Sequence, residues 1–453
     1  MFGVPAQASA PTPPPPRAAN ALDLIFIIDA TGSMGSYIAS ATRNIETICD
    51  KIVESELLSA PGALRVGLIS YRDHPPQDHV YIVRNFGFAK DVQEMKSHLK
   101  SLFAAGGGDG PEAATAALAA AVELPWRTDA AKMAILVTDA PPHGIGEYGD
   151  GFPNGSPDGA DPLDLARRMA AAGISLFVVA CEPALSGYQH AVDFYKGLVQ
   201  ITSGMLVPLT TASLLAHVVV AAASEVMDMD RLHREVGDAV LERLQNLSLS
   251  TGESHTPSLL DTVARELHEK LSLRNESTRQ LIIDDIYRES PESTHNVHVW
   301  STAENLFVAR PHIRKVIGSR LSQKFIESRR KGLYAKATPS SVSDPAPAAT
   351  PSAPRRVVSD FSPFSVPGMS VAGTEVAAGP QMSEYRSSDP IDDDGDDDMD
   401  EENSDEDEAL QGSAAYTYVS GDDGQRLALR QDTISLEQAR RLTTQSVARR
   451  QFT

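Results

Sequence analysis

The chain has 453 residues, and its 40 Lys+Arg against 61 Asp+Glu give a formal net charge of -21. Fourteen of those acids fall in residues 389–408 (DPIDDDGDDDMDEENSDEDE), so the rest of the chain carries -21 + 14 = -7, an ordinary value for a soluble protein. That balance argues against a general nucleic-acid binder. The two cysteines, Cys49 and Cys181, are too few for a disulfide framework or a cysteine zinc site and read as buried, reduced thiols.

Residues 1–20 are a proline-rich lead without the basic start and apolar stretch of a signal peptide. From 21 to 212, short apolar runs alternate with helical patterns. The expected strands are LDLIFIID, LRVGLISY, VYIVRNFGF, KMAILVTD, ISLFVVAC and MLVPL. Between them lie a helix through Ile38, Ile45, Ile48 and Ile52, a helix from about Asp91 to Phe103, EAATAALAAAVEL, and DPLDLARRMAAAG. Strands that are apolar throughout and separated by helices predict an α/β fold, a Rossmann-like, mostly parallel sheet covered on both faces. Ligands of such sheets bind at the carboxyl ends of the strands. Residues 213–337 read as a helix-rich accessory region around a possible strand, HNVHVW (295–300). Residues 338–434 read as a disordered linker that contains the acidic run, with Ser404 as a candidate acid-directed phosphorylation site. Residues 435–453 read as a short basic helix opened by a Ser435/Gln438 capping box and free to fold back on the acidic run or to serve a partner. No apolar run reaches the ~20 residues of a bilayer crossing, and the expected setting is the cytoplasm, with the nucleus left open.

Three loops carry the chemistry. Strand one ends in Asp29-Ala30-Thr31-Gly32-Ser33, which places a carboxylate and two hydroxyls at i, i+2 and i+4. Gly106-Gly107-Gly108-Asp109-Gly110-Pro111-Glu112 precedes a helix, and Thr138-Asp139-Ala140-Pro141-Pro142 ends a later strand. Adjacent loops at one sheet edge can gather Asp29, Thr31, Ser33, Asp109 or Glu112, and Asp139. Hard cations favour such an all-oxygen shell, and the acids would repel one another without one. An aspartic protease would need D-T-G-S twice, and a P-loop would need G-x-x-x-x-G-K-[ST]; neither occurs. The loop acids Glu147, Asp150, Asp158 and Asp161 read as a solvated rim rather than a second cation site. His74 and His143 lie in loops near the same end of the sheet, where His143 could rim the site although a lone loop histidine is more often exposed.

The D-x-T-G-S-M, G-G-G-D-G-P-E-A and T-D-A-P-P-H-G series resembles a von Willebrand factor A (vWA) domain with a complete metal-ion-dependent adhesion site (MIDAS). The likeness is greatest to the A domains of vWA-linked alpha-kinases and their fungal relatives. It implies Asp29, Thr31 and Ser33 as first-loop ligands and Asp139 as the third-loop carboxylate, often acting through water. The second loop departs from the family's usual threonine and resembles the D-x-P-E loop of integrin β subunits, which favours Glu112 over Asp109; Thr115 reads as a helix residue. The implied function is recognition without turnover: a protein-interaction module in which Mg2+ or Mn2+ is completed by a partner's Asp or Glu. The competing expectation is a non-catalytic or regulatory component related to the vWA alpha-kinases, since nothing in the chain reads as a kinase catalytic domain.

Overall fold

The computed structural model describes residues 20–56, 58, 60–251, 257–337 and 417–450; the acidic run, Ser404 and all but the last residue of the proline-rich lead lie outside them. In chain order the first half runs β1 (Leu22–Asp29), α1 (Gly35–Ser55), β2 (Leu64–Tyr71), β3 (Val83–Phe88), α2 (Val92–Lys100), α3 (Ala114–Val122), β4 (Ala131–Thr138), α4 (Pro162–Ala171), β5 (Ile174–Cys181), α5 (Ala191–Ile201) and β6 (Met205–Leu209). The sheet order is β3-β2-β1-β4-β5-β6, parallel except for β3 at one edge.

All eight residues of β1 are buried, because helices cover both sheet faces and leave no side of the strand for water. Leu24, Phe26 and Ile28 pack beneath α1 and the following long helix, while Ile25 and Ile27 face α3, α4 and α5. The order reverses between β1 and β4, where chains leave toward opposite faces and open a crevice at the strands' carboxyl ends. Cys49 and Cys181 are buried and unbridged.

The second half runs α6 (Leu215–Thr251), α7 (Pro257–Leu273), β7 (Ser277–Ile283), α8 (Pro291–Thr302), α9 (Leu306–Ala309), α10 (Gln323–Ala337), β8 (Thr417–Ser420), β9 (Arg426–Thr433) and α11 (Leu436–Arg450). The start of α6 covers the sheet through Val218, Val219 and Ala222. Its continuation carries Leu232, Val240 and Leu244 into a second core with Val263 and Leu271 of α7 and Ala439 and Leu442 of α11. By length and composition, Ala212–Leu249 could cross a membrane, but 78% of its most apolar window is buried inside the protein.

Three expectations change here. HNVHVW is helical: Ser290 caps the helix by accepting from Ser293 N, and Pro291 sits in its first turn. The His-Val alternation imitated a strand, yet Trp300 is wholly buried against Phe194 of α5, and a Cβ on Gly197 would lie 2.5 Å from the Trp300 Cβ. The region expected to be linker as far as 434 holds β8 and β9, which form an antiparallel sheet with β7 in the order β7-β9-β8. A tight turn links them, with Gly424 at φ +88° and Gly421 N donating to Gln425 O at 2.8 Å. Third, the C-terminal helix is docked. Its capping box forms as expected, with Gln438 N donating to Ser435 Oγ at 3.1 Å and Ser435 N to Gln438 Oε1 at 3.2 Å. Arg441, however, is buried against Glu225 of α6 at 2.6 Å, and Arg440 meets Asp261 of α7 at 2.8 Å.

Glu225 also accepts from Gln438 Nε2 and Leu281 N, so one buried carboxylate joins α6, β7 and α11. Replacing it by alanine would strand the Arg441 charge. We expect Glu225→Ala to lower stability by about 3 kcal/mol, read as a fall of several degrees in melting temperature. An unchanged melting curve would show that this carboxylate does not hold the C-terminal segment.

Candidate functional site

The carboxyl ends of β1 and β4 meet the loop before α3 in a cleft of about 530 Å³, lined among others by Thr31, Ser33, Gly107, Glu112, Asp139 and Tyr188. Asp29, the last residue of β1, is wholly buried. Its Oδ1 accepts from Thr31 N at 2.9 Å and from Thr31 Oγ1 at 2.6 Å, and its Oδ2 from Thr138 Oγ1 at 3.2 Å. Glu112 is fixed by its backbone, whose N–H donates to Pro141 O at 2.9 Å, and its Oε2 is buried without a partner. Ser33 is exposed at the cleft, Asp139 is nearly buried beside it, and Thr115 lies in α3. Thr31, Ser33, Glu112 and Asp139 therefore line one cleft, and the buried Asp29 is bonded to its Thr31.

The glycines before Glu112 make this approach possible. Gly107 has φ +83°, and a Cβ there would sit 2.7 Å from Glu112 Oε1 and 3.6 Å from Thr31 Cβ. Gly106, at φ +84°, lies directly against the Asp78 carboxylate, which pairs with Arg72; Arg72 also donates to Phe103 O at 2.6 Å.

The electrostatics at the two ends of β1 are opposite. Asp23 is also buried, and burial works against its charge, but bonds from Arg65 and Arg127 hold its carboxyl below the usual range. No Lys or Arg pairs with Asp29, Glu112 or Asp139 among the described residues. Burial, with the nearby Asp139 charge adding to it, pushes Asp29 up to about 7 even though Thr31 and Thr138 donate to it. Burial and the charges of Asp29, Asp73, Asp109 and Asp139 push Glu112 up to about 10. Asp139 is raised by burial, with the Ser33 hydroxyl offsetting part of the effect. With no cation beside them, these carboxyls are pushed toward their neutral forms.

Asp109 lines the cleft, but its Oδ2 accepts from Gly151 N and its carboxyl approaches Asp73 and His143. His143 is buried rather than exposed. Its Nε2 lies 2.7 Å from Asp73 Oδ1 and its Nδ1 2.8 Å from Asp150 Oδ1. Burial disfavours its charge, yet the two carboxylates push it up to about 9. His74 is buried as well, with its Nε2 3.3 Å from Ser156 Oγ.

The acids of loop 140–162 are mostly not a solvated rim. Glu147 accepts from the backbone of Gln189, His190 and Ala191, Asp150 from Gly144 and Phe152, and Asp161 caps α4. Only Asp158 keeps the expected exposed position. Asp73 escaped the sequence reading because it lies in no motif, although its place just beyond β2 at the carboxyl edge was a usable signal.

The sheet, its flanking helices and the order of the loops define a von Willebrand factor type A domain, and residues 23–213 match that family's model. The chain is similar to the alpha-protein kinase vwkA of Dictyostelium discoideum, 29% identical over 164 residues, which are 36% of this chain and 25% of that protein. It is also similar to the putative ariadne-like RING finger protein R811 of Acanthamoeba polyphaga mimivirus, 27% identical over 190 residues, 40% of this chain and 18% of that protein. The chain thus spans a quarter or less of the length of these relatives. Among solved structures, the SpaC pilus adhesin of Lactobacillus rhamnosus GG in its open conformation aligns with a TM-score of 0.35 at 13% identity, covering 47% of this chain and 30% of the adhesin. Proximal thread matrix protein 1 of the mussel byssus aligns with a TM-score of 0.31 at 15% identity, covering 46% and 47% respectively.

A methyl group at Gly107 would collide with Glu112 and would need a left-handed backbone that alanine disfavours. Gly107→Ala should therefore cost about 1–3 kcal/mol, measured by denaturant unfolding. A variant as stable as the parent would mean the loop has room that this packing does not show.

Proposed function

We propose that the chain is a protein-interaction module in which Asp29, Thr31, Ser33, Glu112 and Asp139 hold a divalent cation, Mg2+ or Mn2+, completed by an Asp or Glu of a partner protein. The observation that carries this reading is the buried, unpartnered Glu112 Oε2 in a cleft also lined by Asp139 and by Thr31, to which the buried Asp29 carboxylate is bonded. Buried charge needs an opposite charge, and here a cation would supply it. A donor set of carboxylates and hydroxyls suits a hard ion. The cation would hold the partner's carboxylate and orient it; no residue is assigned a bond-breaking role. The two buried thiols suit a reducing compartment, and we place the module inside the cell.

Affinity capture from cell extract, with and without EDTA, tests this directly. A specific partner should be retained by the parent protein in Mg2+ and lost both in EDTA and with Asp29→Ala. A partner list indifferent to both changes would sink the proposal.

Acid–base linkage gives a second test. Carboxyls of an unfolded chain titrate near ~4.3, whereas Asp29 lies at about 7 and Glu112 at about 10 without a cation. The folded chain then binds protons more tightly than the unfolded one. Stability in EDTA should accordingly fall as pH rises from about 4 toward 7 through Asp29, and on toward 10 through Glu112. Bound Mg2+ replaces those protons and should flatten the decline between about pH 5 and 9. Melting temperatures with the same slope in EDTA and in Mg2+ would count against cation binding at these carboxyls.

A further inference from the structure

We propose that Asp73, Asp109 and His143 form a second metal site, chemically distinct from the all-oxygen cleft, that takes a borderline transition ion of the Zn2+ class. One donor atom from each residue lies within 4.8 Å of the others. Zn–N and Zn–O bonds are about 2.0–2.2 Å, which puts donors of a single shell about 3–4 Å apart, so small side-chain movements complete the site.

The cluster does not rest on acidic residues alone. Asp73 is wholly buried, and neither its Oδ2 nor the buried Asp109 Oδ1 receives an N–H or hydroxyl donor; the two carboxyls face each other instead. These are two orphaned carboxylate oxygens in one cluster. The other oxygen of each is already occupied, Asp73 Oδ1 by His74 N at 2.6 Å and Asp109 Oδ2 by Gly151 N, and those bonds fix both carboxyls in place.

The imidazole is arranged in the manner of a metal ligand. Its Nδ1 lies 2.8 Å from Asp150 Oδ1, and the Asp150 carboxylate is held by Phe152 N at 2.8 Å and Gly144 N at 2.7 Å. Both ring nitrogens donate in this arrangement, Nδ1 to Asp150 and Nε2 to Asp73; with Asp150 retaining the Nδ1 proton, loss of the Nε2 proton frees that lone pair for a metal. That Nε2 faces Asp73, the side on which the unpartnered oxygens lie. On binding, the ion takes over the Nε2 contact with Asp73, and the imidazole gives up any proton held there. Asp109, half-buried and lining the open cleft, gives the ion a way in. A mixed nitrogen and oxygen donor set favours Zn2+ or Co2+ over Mg2+, which separates this site from its neighbour.

The test uses the full chain, stripped with chelator, then equilibrated with Zn2+ in excess Mg2+ and freed of unbound metal. Retained zinc is measured by elemental analysis. We expect a tightly held zinc equivalent in the parent and in Asp29→Ala, and its loss in His143→Gln and Asp73→Asn. Asp150→Asn, which alters only the carboxylate orienting the imidazole, should weaken Zn2+ binding by about 10–100-fold. No retained zinc in the parent, or retention unchanged by His143→Gln, overturns the site. Zinc lost only with Asp29→Ala would place the ion in the other cleft and also overturn it. Should the substitutions prevent folding, X-ray absorption of the zinc-loaded parent decides: imidazole scattering in the first shell is expected, and an oxygen-only or sulfur-containing shell refutes the assignment.

Discussion

Asp29 is a carboxylate at the buried end of the central strand, and a buried carboxylate has to be hydrogen-bonded, paired or protonated. Asp23, near the other end of β1, meets the same requirement with two arginines. The Asp29 end receives hydroxyls, a backbone N–H and more carboxylates instead. The chain thus compensates the Asp23 carboxylate internally and leaves the Asp29 end short of positive charge. The glycine loop, the Glu112 backbone bond to Pro141 and the Arg72–Asp78 pair all hold oxygens toward that deficit.

The surrounding packing keeps this edge rigid. The second and third loops are each pinned by a tyrosine: Tyr195 of α5 donates to Ala140 O at 2.9 Å, and Tyr188 donates to Gly110 O at 2.8 Å across the cleft. Loop 140–162, polar and glycine-rich, is turned into a fixed wall by Glu147 and Asp150, whose carboxylates accept backbone N–H groups in place of water. At the opposite end, α6 runs from the sheet into the core it shares with α7 and α11, so the accessory region is continuous with the domain that carries the site. Arg279 reinforces that continuity by pairing with Glu56 beyond α1 and Asp228 of α6.

Much of the A domain was legible in the sequence because its signals are local. An eight-residue apolar run such as LDLIFIID has few folded fates other than a doubly covered strand, and a D-x-T-G-S turn leaving it must emerge at the carboxyl edge. The second half was less legible because its order comes from partners remote in the chain. HNVHVW alternates like a strand, and only its contact with α5 and the Ser290–Pro291 start make it helical. Residues 426–433 follow a long polar stretch and become a strand by pairing with β7, about 150 residues earlier in the register Ser277↔Thr433 to Ile283↔Leu427.

For the site, the sequence by itself determined which oxygens are available and in which loops, since spacing from a strand end fixes where a side chain emerges. It did not decide how the second loop divides its acids. The tertiary structure lines the cleft with both, together with Asp139, but also sets Asp109 beside Asp73 and His143. It also buries the two loop histidines that read as exposed, and gives Glu147 and Asp150 backbone partners in place of solvent. The physical reason is distance along the chain: a carboxylate's neighbours, and hence its charge, are set by β2, β4 and a loop many residues away, and only folding brings those segments to the same edge.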